Sequence, residues 1–107
     1  MADAELDELK REFLAEAQEK VEEIQSLLAR ERTPQTLDRL TYLAHQLKGS
    51  GGSYGFQRIS TDAAELEKAI EKVAKGEKSL DGKIQQHVTN LRTEIERGTR
   101  ELAAASS

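Results

Sequence analysis

The segment Tyr42–Phe56, YLAHQLKGSGGSYGF, holds one of the two histidines of the chain and four of its seven glycines. His45 precedes Lys48 by three residues, so on a helix the ammonium group lies one turn beyond the imidazole. A neutral imidazole is a nucleophile near pH 7, and a nearby cation can stabilise negative charge that develops beside it. This pair is the first candidate for chemistry.

Three glycines follow Lys48 within about one helical turn: Gly49, Gly51 and Gly52. Each glycine inside a helix costs about 0.5–1 kcal/mol relative to alanine, so propensity alone would end the helix at Lys48. The apolar pattern nevertheless continues in register through Gly51 to Tyr54. We therefore expect the helix to persist, with Gly51 allowing a neighbouring helix to approach and Gly49 leaving a bare surface.

The direction of His45 follows from the 100° advance per residue of an ideal helix. The imidazole points about 130° away from the apolar stripe and should face solvent. Tyr42, Gly49 and Gly52 share this outer face, and Lys48 lies on its flank. The stripe itself consists of Leu37, Leu40, Ala44, Leu47, Gly51 and Tyr54.

Other chemistries do not fit these residues. The GSGG run lacks the lysine that a Walker loop places after its glycines, and no strand precedes it as a dinucleotide fingerprint requires. The second histidine, His87, has neither a lysine nor glycines around it and is expected at the boundary of the core or on the surface. Two distant histidines do not predict a metal site.

Composition narrows the class of protein. The 107 residues suffice for one domain over 1–107, and they include 36% hydrophobic, 34% charged and only 4% aromatic residues, as amphipathic helices do. The chain has no cysteine, so disulfides and thiolate metal sites are excluded. The acidic N-terminus lacks the features of a signal peptide, and no stretch is long enough to span a membrane, so we expect a cytoplasmic protein.

Charge argues against nucleic acid as a partner. The net charge is −4, and a nucleic-acid binder needs a broad basic face with stacking aromatics. Between residues 33 and 61, however, Asp38 is the one acidic residue against Arg39, Lys48 and Arg58. This locally basic segment leaves room for one small anion.

Apolar residues at steps of three and four predict four helices. The first spans Asp3 to about Arg30, either as one helix or as two broken near Lys10 with an extra short N-terminal helix. Thr33-Pro34 starts the second helix, Lys75-Gly76 ends the third, and Ser79 is a plausible cap for the fourth. Short connections favour an all-α, antiparallel up-down-up-down four-helix bundle, with a frayed tail at about 103–107.

The same residues resemble a known family. HQLKGSGGSYGF, from His45 to Phe56, is similar to the signature of histidine-containing phosphotransfer (HPt) domains, and AELEKA, from Ala64 to Ala69, is similar to the second piece of that pattern. EFLAEAQEKVEEIQSLL also looks like the helix that precedes the motif. The resemblance covers nearly the whole chain.

The resemblance implies that His45 accepts a phosphoryl group from a receiver-domain aspartate or a kinase and passes it to a response regulator. Lys48 would neutralise the phosphoryl charge, and Gly49 would keep the approach open. Glu67 lies about 70° off the core axis of its helix and would orient the imidazole through Nδ1, the alternative being a solvated helix charge. Tyr42, Gly49 and Gly52 form the expected docking surface.

The resemblance also implies a carrier rather than an enzyme. From the residues themselves, no cofactor is expected on this chain: it shows no nucleotide site and no carboxylate cluster for magnesium, so the receiver would bring that ion. Some related domains dimerise, but no exposed apolar seam demands it here, so we expect a monomer. Chemotaxis-type kinases usually have a second histidine where this sequence has Ala64, which favours a relay intermediate over a phosphoacceptor domain of such a kinase. A helical interaction module without covalent chemistry remains the alternative from another class.

Overall fold

The fold was obtained as a computed structural model, which describes residues 2–77 and 81–106. The chain forms four helices, α1 (Ala2–Leu28), α2 (Pro34–Ser53), α3 (Gln57–Ala74) and α4 (Asp81–Ser106), and the described residues include no strand. α2 packs against α1 and α3, and α4 packs against α3 and α1, so the helices form a closed ring. The predicted all-α four-helix bundle is confirmed.

The core is made by the apolar side chains that the three-and-four spacing selects. Because each helix turns its apolar stripe inward, these side chains are removed from water together. Leu43 is buried as well, although the predicted stripe of α2 did not contain it, and Leu37 and Tyr54 are only partly buried. The largest fully buried residues are Ile24, Leu40, Leu43, Leu47, Ile59, Leu66, Ile70, Ile84, Leu91 and Ile95.

The predicted signals at the helix ends have the expected geometry. The side chain of Thr33 accepts a hydrogen bond from the Thr36 amide at 3.1 Å, and Pro34 begins α2. α3 ends at Ala74, and Gly76 has a φ of +100°, the left-handed conformation that glycine adopts most readily after a helix. The predicted cap Ser79 lies outside the described residues.

α1 corrects one of the alternatives left open by the sequence. It is continuous from Ala2 to Leu28, so the break near Lys10 and the separate short N-terminal helix are wrong. Leu6 and Leu9 continue the spacing of apolar residues through this segment, although both side chains are exposed. The segment has no proline or glycine, and its alanine, leucine, glutamate and lysine residues are good helix formers. At the other end of the chain, α4 is helical through Ser106, including residues 103–106 of the tail expected to fray.

Gly51 determines how closely α2 and α3 approach. A Cβ atom there would lie 3.1 Å from the Ser60 amide nitrogen and 3.2 Å from Cγ2 of Ile59. The helix continues beyond this contact to Ser53, and Gly55, with a φ of +83°, makes the turn into α3. The predicted persistence of the helix through the glycines is confirmed.

Aromatic side chains close the end of the bundle where α2 meets α3. Phe13 stacks on Tyr54 and Phe56 with ring centroids 5.3 and 5.5 Å apart.

Among residues 2–77 and 81–106, no helix combines the length and apolar character that a membrane crossing requires.

Candidate functional site

His45 lies on the outer side of α2. Its side chain is 64% exposed, whereas its neighbours Ala44 and Leu47 are buried in the core. The helix is therefore anchored on one side and presents the imidazole on the other. A partner can reach the ring without opening the bundle.

Glu67, on α3, connects the two residues that the sequence placed on α2. Its Oε2 atom is 3.1 Å from Nδ1 of His45, and its Oε1 atom is 3.1 Å from Nζ of Lys48. The Glu67 side chain is only 14% exposed. The structure thus brings His45, Lys48 and Glu67 together. One carboxylate oxygen of Glu67 pairs with His45 and the other pairs with Lys48.

This contact determines which nitrogen of the neutral imidazole is available. An ionised carboxylate only accepts hydrogen bonds, so the proton of the His45 ring belongs on Nδ1, which donates to Glu67. Nε2, on the other side of the ring, then carries the free lone pair. The arrangement suits a nucleophile whose orientation is fixed by a second residue.

Ser60 adds a contact that the sequence analysis did not predict. Its hydroxyl donates a hydrogen bond of 2.8 Å to the backbone carbonyl of Lys48. A Cβ atom at Gly52 would lie 3.5 Å from the same hydroxyl oxygen. Ser60 therefore links α3 to α2 next to Lys48. In the sequence, this role was indicated only by the position of Ser60 beside Ile59, on the side of α3 that meets the glycines of α2.

The outer surface beyond Lys48 is bare. Around the position of a Cβ atom at Gly49, no atom of the described chain beyond the neighbouring residues and local helix backbone lies within 4 Å. Tyr42, on the preceding turn, is 50% exposed. The residues expected to form the docking surface, Tyr42, Gly49 and Gly52, all lie exposed on α2 beside His45.

Tyr42 is held by side chains that sequence reasoning missed. Gln46 donates a hydrogen bond of 2.7 Å to its hydroxyl, and the guanidinium carbon of Arg39 is 5.3 Å from the ring centroid. Arg39 also forms two hydrogen bonds with Glu23 of α1. These bonds lower the pKa of Glu23 and raise the pKa of Arg39.

His87 lies apart from this site, on the side of α4 that faces α3. Its Nδ1 atom is buried, and no hydrogen-bond partner for it occurs among the residues described. Burial raises the pKa of nearby Asp62, while the charge of His87 and a hydrogen bond with Asn90 act in the opposite direction. Within the described ranges, no group of three or more histidine, aspartate or glutamate residues could hold a metal ion.

Together, the fold and the site define a four-helix bundle that exposes an imidazole oriented by a carboxylate and flanked by a lysine. The model of the Hpt domain family matches residues 8–102. The chain therefore belongs to the Hpt domain family, and its general role is histidine phosphotransfer in a phosphorelay. No curated protein and no solved structure matches the chain.

Proposed function

We propose that this protein is a phosphoryl carrier of a two-component phosphorelay, and that His45 is its phosphoacceptor. His45 receives the phosphoryl group from a receiver-domain aspartate or a kinase and passes it to a response regulator. The observation that carries this proposal is the 3.1 Å contact between Nδ1 of the exposed His45 ring and Glu67, which leaves Nε2 free to attack.

The transfer step needs no redox chemistry. The Nε2 lone pair attacks phosphorus of the aspartyl phosphate; the N–P bond forms while the P–O bond to the aspartate breaks, and the aspartate leaves as a carboxylate. The positive charge that develops on the ring is stabilised by the carboxylate of Glu67. This carboxylate accepts a hydrogen bond from Nδ1–H, and the proton stays on the ring. Transfer to the second receiver is the reverse of this step.

Lys48 supports the phosphoryl group electrostatically. Its ammonium group is paired with the Oε1 atom of Glu67, and the side chain remains 39% exposed, so it borders the space in front of His45 without being buried. A cation there offsets negative charge on the incoming phosphoryl oxygens. The magnesium ion of the reaction is assigned to the receiver, which holds the aspartyl phosphate.

The receiver docks on α2. Gly49 and Gly52 leave the surface of α2 without side chains near the imidazole, and Tyr42 offers an apolar contact one turn before it. A carrier must release one receiver before it engages the next, so a small surface of this kind suits a transient complex. Replacing either glycine with a larger residue would place a side chain where the receiver approaches.

The proposal is tested by incubating the purified protein with a panel of receivers that carry radiolabelled aspartyl phosphate. We expect label on the wild type that is stable in alkali and lost in acid, as for a phosphoramidate bond. His45→Gln should abolish it, and the matched variant His87→Gln should retain it. Label that persists in His45→Gln would disprove the site assignment.

The donor distinguishes the remaining alternatives. Supplying the nucleotide-binding domain of a chemotaxis-type kinase with ATP tests whether the chain acts as a kinase phosphoacceptor domain, a role that Ala64 disfavours. If neither receivers nor kinase domains label His45, that result would favour an interaction module without covalent chemistry.

A further inference from the structure

Tyr42 is a large side chain on the surface that is held in place along its own helix. The ring is 50% exposed, yet its hydroxyl accepts a hydrogen bond of 2.7 Å from Gln46, one turn ahead. On the preceding turn, the guanidinium carbon of Arg39 lies 5.3 Å from the ring centroid, within the range of a cation–π contact. Tyr42 is therefore contacted from both directions along α2.

Arg39 is itself fixed to the neighbouring helix. Its Nε and Nη2 atoms donate to the two carboxylate oxygens of Glu23 on α1 at 2.6 and 2.9 Å, a bidentate geometry that restrains the planar guanidinium group. Glu23, Arg39, Tyr42 and Gln46 thus form one connected set, which we call the Tyr42 network. It runs from α1 to the turn of α2 that carries His45.

Core packing does not account for the position of the Tyr42 ring. Arg39 and Glu23 have side chains that are 47% and 40% exposed, so solvent screens their pair and its contribution to stability is modest despite the bidentate geometry. In the network, the hydroxyl and the ring face of Tyr42 are each contacted by a neighbouring side chain, beside His45. An exposed side chain that is already ordered loses less conformational entropy when a partner binds.

We propose that the Tyr42 network is a preorganised docking element that sets the affinity for the receiver. Tyr42 contacts an apolar surface of the receiver, while Glu23, Arg39 and Gln46 are positioning residues that act through the ring. We expect the partner surface to be apolar because the half-exposed aromatic ring is the part of Tyr42 that a partner can bury; the hydroxyl accepts from Gln46 and keeps its own proton as a donor. This inference rests on the proposed function of His45.

The test measures single-turnover phosphotransfer from a phosphorylated receiver to the full chain at increasing receiver concentration. This separates the maximal transfer rate, here called kcat, from the receiver concentration at half-maximal rate, here called KM. Loss of a central aromatic contact typically weakens binding about tenfold or more, and Tyr42→Ala should raise KM by that factor, with a much smaller change in kcat. Tyr42→Phe, which keeps the ring, should restore KM to within about threefold of the wild type. Arg39→Gln should raise KM about three- to tenfold through loss of ring order.

A matched variant separates docking from bundle stability. Arg58→Gln removes an ion pair with Glu94 between α3 and α4, away from the Tyr42 network, and should leave KM unchanged. Side-chain couplings measured by NMR should show a single Tyr42 rotamer in the wild type and averaging in Arg39→Gln. Equal increases of KM in Arg39→Gln and Arg58→Gln, or an averaged rotamer in the wild type, would overturn the preorganisation.

Phosphoramidate, a small phosphodonor, distinguishes failure of this inference from failure of the proposed function. It reports the reactivity of His45 without a docked receiver. If the wild type is labelled by phosphoramidate and by receivers but Tyr42→Ala has an unchanged KM, only the docking inference fails. If His45 of the wild type is labelled by neither donor, the proposed function fails and the docking inference fails with it.

Discussion

At the scale of single residues, the site depends on one carboxylate with two partners. Glu67 is 14% exposed, and each of its oxygens lies 3.1 Å from a nitrogen of His45 or Lys48. A mostly buried charge is costly unless it is paired, so both contacts help to keep Glu67 in this position. In return, the carboxylate fixes the tautomer of the imidazole and restrains the lysine.

Replacement of Glu67 should therefore slow the chemical step. Glu67→Gln retains an oxygen that accepts from Nδ1 but loses the charge, and we expect transfer to His45 to slow about tenfold; Glu67→Ala, which loses both, should slow it about 100-fold. Single-turnover transfer from a phosphorylated receiver at saturating concentration measures this rate. A wild-type rate in Glu67→Ala would show that Glu67 is only a helix charge, the alternative that the sequence left open.

Asp62 provides a test by pH that is independent of phosphotransfer. Burial raises its pKa, so the folded state binds this proton more tightly than the unfolded state does. The carboxylate consequently reduces stability above its folded pKa, and this penalty disappears as the pH falls through that value toward the ordinary aspartate pKa. Asp62→Asn should be more stable than the wild type at pH 7, and the difference should vanish in acid.

Chemical unfolding of both proteins across the acidic range measures this difference, because groups distant from Asp62 titrate alike in the two proteins; His87 and Glu94, which interact with Asp62, are the exceptions. The variant keeps a polar group for the contact with Asn90. An advantage of Asp62→Asn that grows as the pH falls would contradict the proposed sign.

At the scale of helices, periodicity was sufficient for the architecture but not for contacts between helices. The spacing of apolar residues predicted all four helices, and the angle of His45 on α2 followed from that helix alone. Ser60 and Arg39 could not be predicted in this way, because their partners lie on other helices and depend on the register between them. Glu67 was found through the family resemblance together with its angle on α3.

The glycines of α2 show why position within the helix matters more than residue type. Gly51 faces the Ser60 backbone, 3.1 Å from the place of a Cβ atom, whereas the corresponding place at Gly49 is open among the described atoms. Gly51→Ala should lower the free energy of unfolding by about 0.5–2 kcal/mol, because the cost of moving the Ser60 backbone to admit the methyl group, about 1–3 kcal/mol, exceeds the gain of about 0.5–1 kcal/mol in helix propensity.

Gly49→Ala is the matched control in the same helix. It should raise the free energy of unfolding by about 0.5–1 kcal/mol through helix propensity and lower backbone entropy of the unfolded chain. Its methyl group lies on the docking surface, so KM for the receiver should rise as stability improves. Equilibrium denaturation with transfer kinetics measures both quantities; similar stability effects at the two glycines would contradict the close-packing account of Gly51.

At the scale of the whole molecule, the core and the site occupy different parts of the bundle. Phe13 is 5% exposed and stacks on Tyr54 and Phe56 near the turn between α2 and α3, whereas His45 is contacted by Glu67 on the outer face. The helices that build the core also carry the site. In the described part of the chain, the hydrogen bonds that join His45, Lys48 and Glu67 do not involve the aromatic cluster. Stability and chemistry should therefore respond to different substitutions.

Phe13→Ala should separate the two properties. Truncation of a buried phenylalanine typically lowers the free energy of unfolding by about 3–5 kcal/mol, through lost burial and the cavity that remains. Leu9→Ala on the same helix is the control: Leu9 is 46% exposed, and its truncation should change stability by about 0.5 kcal/mol or less. At a temperature where circular dichroism shows that Phe13→Ala is still folded, its transfer rate to His45 should equal that of the wild type. A slower chemical step in the folded variant would mean that packing at this end of the bundle reaches the imidazole, since the bulk of the ring is then needed to hold α2 and α3 at the spacing that joins His45 to Glu67.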